Sequence, residues 1–371
     1  MRRALQLAMR GQGRVEPNPM VGCVLVHGGQ VVGEGFHRRF GDGHAEVEAL
    51  ADCRRRGLDP AGCDVYVNLE PCCHQGKTGS CTQVLIAAGV RRVFVGMTDP
   101  FEKVAGKGLG QLHNAGVKVV TGVCRKEAMQ LNEPYVKRTT TGLPWVIVKW
   151  AQTLDGAIAT ATGDSKWISN ECSRKVAHQL RARVDAVVVG ISTVLADDPQ
   201  LTARGVMVKR QVRRVVMDPH LRLPIDSKLV QSLDKSRPLT VAVRQQVLED
   251  RSAKVDELIG AGVELVGLPF YDEQLSLLQW RALLEHLCVA RSATNVMVEG
   301  GAKVISTLMQ QQMVDQVMAF VAPKLVGDSK ALRAVHGWST SSIEQSRTFS
   351  LRRVKRIGGD VMLDYRRAAH A

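Results

Sequence analysis

His44-Ala45-Glu46 opens an apolar-periodic segment, Ala45 to Arg56, stopped by Gly57; Asp64-Val65-Tyr66-Val67-Asn68-Leu69 then alternates and ends at Glu70-Pro71-Cys72. The periodicities predict a helix and then a strand whose end carries a cysteine. Upstream, the apolar run Val21 to Val26, the turn His27-Gly28-Gly29-Gln30 and Val31 to Phe36 predict a hairpin. Downstream of Cys81, Thr82 to Ala88 reads as a helix stopped by Gly89. Arg92 to Val95 and Val117 to Val120 read as strands flanking a helix near Leu109 to Ala115. Strands and helices in alternation imply an α/β sheet with helices packed on it.

Thr139-Thr140-Thr141-Gly142-Leu143-Pro144 is a polar joint with glycine and proline. A boundary there divides the 371 residues into domains 1–142 and 143–371, which suits a length of about two domains. A second α/β series follows. Its expected strands are Val146 to Trp150, Asp185 to Gly190, Val215 to Met217, Thr240 to Val243, Val263 to Val266, Asn295 to Val298, Val317 to Val321 and Val361 to Tyr365, with a helix from Cys172 to Arg183. Glu299-Gly300-Gly301-Ala302 follows a strand and opens a helix, where a backbone can approach a phosphate; an ordinary tight turn is the alternative. No G-x-G-x-x-G follows a strand, which excludes a Rossmann-type fingerprint. Gly106-Lys107-Gly108-Leu109-Gly110 reads as a loop.

Hydrophobic residues make up 45%, enough for full cores, and 50 basic against 36 acidic residues leave a net charge of +14. Such charge suits nucleic acid, a membrane surface or phosphorylated small molecules. The basic residues are scattered, as at Arg54-Arg55-Arg56, Lys209-Arg210, Arg213-Arg214 and Arg352-Arg353, and aromatics are only 4%, so no single-strand stacking platform stands out. Nine cysteines in so long a chain suit metal ligands and spare thiols better than a disulfide framework. Gln6 and Arg10 interrupt any apolar leader after Met1-Arg2-Arg3, and no apolar run approaches the roughly 20 residues of a membrane span. The expectation is a soluble, cytoplasmic protein.

One imidazole, His44, and two thiolates, Cys72 and Cys81, suit a tetrahedral Zn2+ with one position open for water. Zinc would make that water a nucleophile at neutral pH, and Glu46 would carry its proton to a leaving amine. H-x-E with a downstream P-C is the pattern of zinc deaminases that act on nucleobases. Cys73 and His74 lie between the two cysteines, so either competes as a ligand. A nucleic-acid base deaminase and a zinc-bearing scaffold without catalysis share parts of this signature. Four protein ligands would favour the scaffold.

Pro17-Asn18-Pro19-Met20-Val21-Gly22, Gly33-Glu34-Gly35, His44-Ala45-Glu46-Val47 and the run Leu69 to Thr78 resemble the deaminase half of the bifunctional riboflavin-biosynthesis deaminase/reductase family. Lys149 to Gly156, Trp167-Ile168-Ser169, Leu180 to Arg183, Thr193 to Arg204 and Glu299-Gly300-Gly301 resemble its reductase half. The resemblance implies a cytidine-deaminase-like α/β/α domain followed by a dihydrofolate-reductase-like α/β domain. It implies His44, Cys72 and Cys81 as zinc ligands and Glu46 as proton shuttle. The implied substrate is a pyrimidine bearing ribose 5-phosphate, deaminated and then reduced by NADPH to a ribitylamine. Motif match places Ala151, Trp167, Thr193, Asp197 and Gly301-Ala302-Lys303-Val304-Ile305-Ser306-Thr307 at the cofactor. It places Ser165, Arg181, Leu201, Arg204 and Glu299 at the substrate. A homo-oligomer is implied likewise, with neither nucleic acid nor membrane as partner. One departure is Asp99-Pro100-Phe101-Glu102-Lys103, where the family carries Asn-Pro after the first Asp-Pro.

The residues also admit plainer roles. Asp197-Asp198-Pro199 can cap a turn, Trp167 can be core, and helical Arg181 and Arg183 can form a solvated face. Guanidinium forks match phosphate, which favours Arg181 and Arg204 as phosphate partners. Lys149 and Asp197 are the candidates to protonate the reduced product.

Overall fold

The computed structural model describes residues 1–73, 79–102, 104–272, 277–337 and 340–367. These form two compact units, Met1–Gly142 and Leu143–Ala371.

The first unit begins with α1 (Arg2–Ala8), then β1 (Gly22–His27) and β2 (Gln30–Phe36), an antiparallel hairpin. Next come α2 (Ala45–Arg55), β3 (Asp64–Leu69), α3 (Cys81–Ala87), β4 (Arg92–Met97), α4 (Lys107–Asn114), β5 (Lys118–Thr121), α5 (Arg125–Leu131) and α6 (Glu133–Thr141). The sheet order is β2-β1-β3-β4-β5, with β3, β4 and β5 parallel. Leu25, Leu50, Val65, Val67, Leu85, Val93, Val95 and Leu112 close its core. Helix α2 lies directly on β2 because that strand carries glycine where they touch. A Cβ at Gly33 would fall 2.5 Å from the Ala49 carbonyl, and one at Gly35 would overlap the backbone of Ala45 and Ala49. This close approach fixes the height of His44 and Glu46 above the sheet.

The second unit contains β6 (Trp145–Gln152), β7 (Ala157–Ala159), α7 (Glu171–Arg181), β8 (Ala186–Gly190), α8 (Ile191–Asp197), β9 (Arg213–Met217), α9 (Lys228–Gln231) and β10 (Leu239–Arg244). It continues through α10 (Gln245–Glu249), α11 (Ala253–Gly260), β11 (Glu264–Leu268), β12 (Phe270–Asp272), β13 (Leu277–Leu278), α12 (Trp280–Arg291), β14 (Asn295–Glu299) and α13 (Ala302–Gln310). It ends with β15 (Gln316–Val321), β16 (Leu332–Arg333), β17 (Phe349–Ile357) and β18 (Asp360–Arg367). Nine strands form one sheet in the order β11-β10-β9-β8-β14-β6-β15-β18-β17. The seven from β11 to β15 are parallel, and β18 and β17 are antiparallel. Both faces of the parallel part are covered, so its strands are continuous apolar runs. Val187, Val189, Val216, Val241 and Val243 face one core, and Val188, Val215, Ala242 and Val298 face the other, beside Trp280 and Ile305.

Three expectations differ from the structure. Thr139 to Thr141 are the last turn of α6, and the break starts at Gly142, whose φ of 70° ends the helix. The Gly106 to Gly110 stretch is the start of α4, with Gly106 as its left-handed N-cap. Strand β17 was not visible in the sequence pattern. It is an edge strand with a bulge between Leu351 and Arg353, so its alternation breaks at Arg352-Arg353.

Candidate active sites

In the first unit three elements converge. His44 is the N-cap of α2, Glu46 lies in that helix's first turn, Cys72 follows the end of β3, and Cys81 is the first residue of α3. His44 Nδ1 is 3.2 Å from Cys81 Sγ and 3.5 Å from Cys72 Sγ, and all three donor atoms lie within 4.8 Å of one another. Ligands about 2.3 Å (S) and about 2.05 Å (N) from a tetrahedral zinc are roughly 3.6 Å apart, so this set fits the ion. Cys73 is not in this group of donors, and His74 lies outside the described residues.

The electrostatics favour ionised sulfur at Cys72. A hydrogen bond from Cys81, reinforced by His44 and by the Cys81 N–H at 3.4 Å, brings its thiol down to about 4, while that of Cys81 is pushed up. The His44 imidazole is raised by its bond to Cys72. Glu46 is buried, and that burial, with the Cys72 charge beside it, pushes its carboxyl up to about 7. The His37 ring packs edge-on to His44 with centroids 5.5 Å apart.

Glu70 carries a role that sequence reasoning missed. Its buried carboxylate accepts from the backbone N–H groups of Gly108 (3.0 Å), Leu109 (3.3 Å), Asp99 (3.1 Å) and Gly106 (3.1 Å). It therefore pins the start of α4 and the Asp99 loop to the strand end that presents Cys72. The available signal was a carboxylate at a strand end and a glycine-rich helix start elsewhere, with nothing in the chain to join them. Asp99 also accepts from Tyr135 at 2.8 Å. Phe101, in the departing segment, is 36% exposed, and Lys103 lies outside the described residues.

In the second unit Glu299 and the Gly300-Gly301 turn lie at the carboxyl end of β14, the end of the strands at which open α/β sheets bind ligands. Lys149 on β6 stands opposite Glu299 on β14. Arg181 grips Glu299 with a two-pronged ion pair, its Nε at 2.7 Å, and donates to the Thr202 carbonyl at 3.3 Å. Burial pushes the Glu299 carboxyl up, but Arg181 and Lys149 more than offset this and hold it below the usual range. Burial pulls the Lys149 amine down against the pull of Glu299. The fork of Arg181 is thus committed to a carboxylate, whereas Arg204 is exposed, bonded to Gln200 at 3.3 Å.

Thr193 in α8 lies beside Gly300-Gly301: a Cβ at Gly301 would come 3.1 Å from Thr193 Oγ1. Both glycines have positive φ (67° and 75°), a conformation that carries the chain into the N-terminus of α13. This cradle fits a dinucleotide pyrophosphate. The side chains from Gly301 to Thr307 have different surroundings. Val304 packs against Gly190, Ile305 is fully buried in the core, the Ser306 hydroxyl accepts from His336 N–H, and that of Thr307 accepts from Trp280 Nε1. Leu201 is also core, 3% exposed at a φ of 54°. Trp167 is not core: it is 62% exposed with Arg174 stacked 4.6 Å above it. Asp197 is exposed and paired with Lys166 at 2.7 Å, while Ala151 and Ser165 are half-buried.

Among the described residues, three donors close enough to share one metal ion, with a buried carboxylate beside them, are the arrangement of a zinc-dependent hydrolytic deaminase, here joined to a second unit. Residues 1–97 match the cytidine and deoxycytidylate deaminase zinc-binding region, and residues 144–363 match the RibD C-terminal domain. The riboflavin biosynthesis protein RibD of Actinobacillus pleuropneumoniae is 38% identical over 98% of this chain and 94% of its own length. That of Escherichia coli is 38% identical over 98% and 97%. A solved Acinetobacter baumannii RibD superposes with a TM-score of 0.85 at 34% identity, covering 99% of this chain and 98% of its own. A Thermotoga maritima structure titled diaminohydroxyphosphoribosylaminopyrimidine deaminase/5-amino-6-(5-phosphoribosylamino)uracil reductase gives 0.84 at 34%, covering 99% and 97%. The chain belongs to the RibD family, the bifunctional deaminase/reductases of riboflavin biosynthesis, with zinc and NADPH as cofactors and a dihydrofolate-reductase-like second domain. It acts on a small-molecule pyrimidine. Among the described residues no helix is long and apolar enough to cross a membrane.

Proposed function

We propose that the first unit hydrolyses the amino group from 2,5-diamino-6-(5-phosphoribosylamino)pyrimidin-4(3H)-one, taking up water and releasing ammonia. The second unit then reduces the opened ribosyl group, giving 5-amino-6-(5-phosphoribitylamino)uracil. The observation that carries this reading is the buried Glu46 carboxyl, two residues from His44 in the three-donor group.

His44, Cys72 and Cys81 would hold Zn2+, which as a Lewis acid lowers the pKa of water from 15.7 to about 7. Glu46 takes the proton and returns it to the departing amine, a task that needs a carboxyl poised near neutrality. In the second unit the turn from Gly301 to Thr307 would meet the cofactor pyrophosphate, Thr193 lies against that turn, and Trp167, Ala151 and Asp197 would contact the cofactor. NADPH supplies the hydride. Lys149 is the better-suited proton donor, because its amine is lowered by burial and faces Glu299, while Asp197 is held outward by Lys166. Glu299 orients Arg181 and Lys149, Arg204 is the exposed guanidinium for the substrate phosphate, and Ser165 and Leu201 would contact the substrate. The net charge of +14 then serves phosphates on substrate and cofactor rather than nucleic acid. We also infer a homo-oligomer built on edge strand β17, where Leu351 and Val354 are more than half exposed.

The test is loss of NADPH absorbance with the diamino substrate, wild type against Glu46→Gln. Wild type oxidises NADPH; the variant does so only when the deaminated intermediate is supplied. Wild-type rates in the variant with the diamino substrate would refute the reading.

A further inference from the structure

The rim that holds Gly300-Gly301 continues across the sheet. Strand register sets Gly190 on β8 beside Met217 on β9, and Met217 beside Ala242 on β10. One step past that row the chain places Asp218, and two steps past it Arg244, whose backbone N–H donates to the Pro219 carbonyl at 3.3 Å. Arg244 closes β10 at the carboxyl end of the sheet, half-buried. Its Nε is buried and meets no hydrogen-bond acceptor among the described residues. Arg181, reaching in from α7, grips Glu299. At the opposite end of the strands Arg213 is bonded to Glu264 at 2.8 Å, and Arg214, whose Nε is likewise without a partner, donates from its Nη1 to Ser232 at 2.8 Å. A desolvated guanidinium nitrogen without a partner is costly and asks for an anion.

The charges around it point to the same ligand. Asp218 is the carboxylate nearest in the register, and its Oδ2 accepts from Leu223 N–H. Arg222 stands 3.8 Å from its Oδ1, and Lys254 acts on it as a second cation. With Arg244 this end of β9 and β10 carries three cations against one carboxylate. From Gly190 to Arg244 is two strand spacings across and two residues along, about 12 Å, a span that the adenosine half of a dinucleotide and an extended arginine bridge together.

We propose that Arg244 receives the 2′-phosphate of NADPH and so sets the preference for NADPH over NADH, a reading that rests on the cofactor crossing this rim from the α13 turn. A guanidinium fork matches a phosphomonoester, and NADH offers only a hydroxyl there.

The test is binding by titration calorimetry of NADP+ and NAD+ to the full chain, wild type against Arg244→Gln and Arg244→Lys. Arg244→Gln should weaken NADP+ roughly ten- to hundredfold and leave NAD+ within about twofold, with Arg244→Lys between. Equal losses for both nucleotides, or none for either, would overturn the proposal. Should Arg244→Gln fail to fold, wild-type crystals soaked with 2′,5′-ADP decide: the 2′-phosphate lies within hydrogen-bond distance of Arg244, or the proposal is wrong. If wild type binds no NADP+ at all, the cofactor site itself is misplaced, which is a different failure.

Discussion

Glu70→Gln isolates the clamp that joins the zinc-bearing strand end to α4. Each carboxylate oxygen of Glu70 accepts two backbone N–H groups: Gly108 and Leu109 on one, Asp99 and Gly106 on the other. A glutamine keeps one oxygen but turns an NH2 toward the other pair, leaving two donors unsatisfied in a buried place. At about 1–3 kcal/mol for each orphaned group the cost is roughly 2–5 kcal/mol, since the two are not fully additive. The unit spans Met1–Gly142. At about 2.1 cal/mol/K per residue its unfolding entropy is about 0.3 kcal/mol/K, so the midpoint should fall by roughly 7–17 °C. Scanning calorimetry of the zinc-loaded chain measures this, with metal release to a chromogenic chelator marking the transition of the first unit. Glu48→Gln is the control, because it removes only a surface pair with Arg38, which should cost about 1 kcal/mol or less. Glu70→Gln melting within about 2 °C of wild type would refute the clamp.

The remaining predictions concern both units. Cys81→Ser should drop bound zinc from about one ion per chain to near none by elemental analysis and abolish deamination, while reduction of the supplied deaminated intermediate continues. Loss of both activities together would count against separate sites. Glu299→Ala leaves the buried Arg181 guanidinium without its carboxylate and should cost about 3–5 kcal/mol in urea unfolding; an unchanged urea midpoint would mean that the ion pair is not formed. Asp155 accepts from the Thr153 hydroxyl and from Gly327 and Val326 N–H, which lowers its carboxyl from 3.8 to about 2. Because the folded value lies below the unfolded one, its contribution is complete above about pH 4 and is lost as pH falls through 2. A carboxyl titrating near its ordinary value in an NMR pH series would contradict those bonds.

The two units differ in how far their chemistry could be read in advance, and the cause is where the functional groups come from. In the first, His44, Glu46, Cys72 and Cys81 lie at the ends of consecutive elements, so once periodicity places α2, β3 and α3 the ligands must converge. Even there the metal is only half of the construction. What holds the strand end is Glu70, whose partners lie about 30 to 40 positions downstream, and pairing at that range leaves no local trace. In the second unit the decisive contacts join α7 to β14, α8 to the β14–α13 turn, and β9 to β10. The places of Ile305, Thr307 and Leu201 at a ligand came from motif match alone, since their burial says nothing of a ligand by itself. The match of guanidinium to phosphate likewise favoured Arg181, and only the assembled sheet shows its fork paired with Glu299. Hydrophobic pattern locates strands because burial is a property of each residue in turn. Which cation faces a carboxylate, and which is left at the rim for a ligand, depends on strand order, and that order becomes visible only when the sheet is assembled.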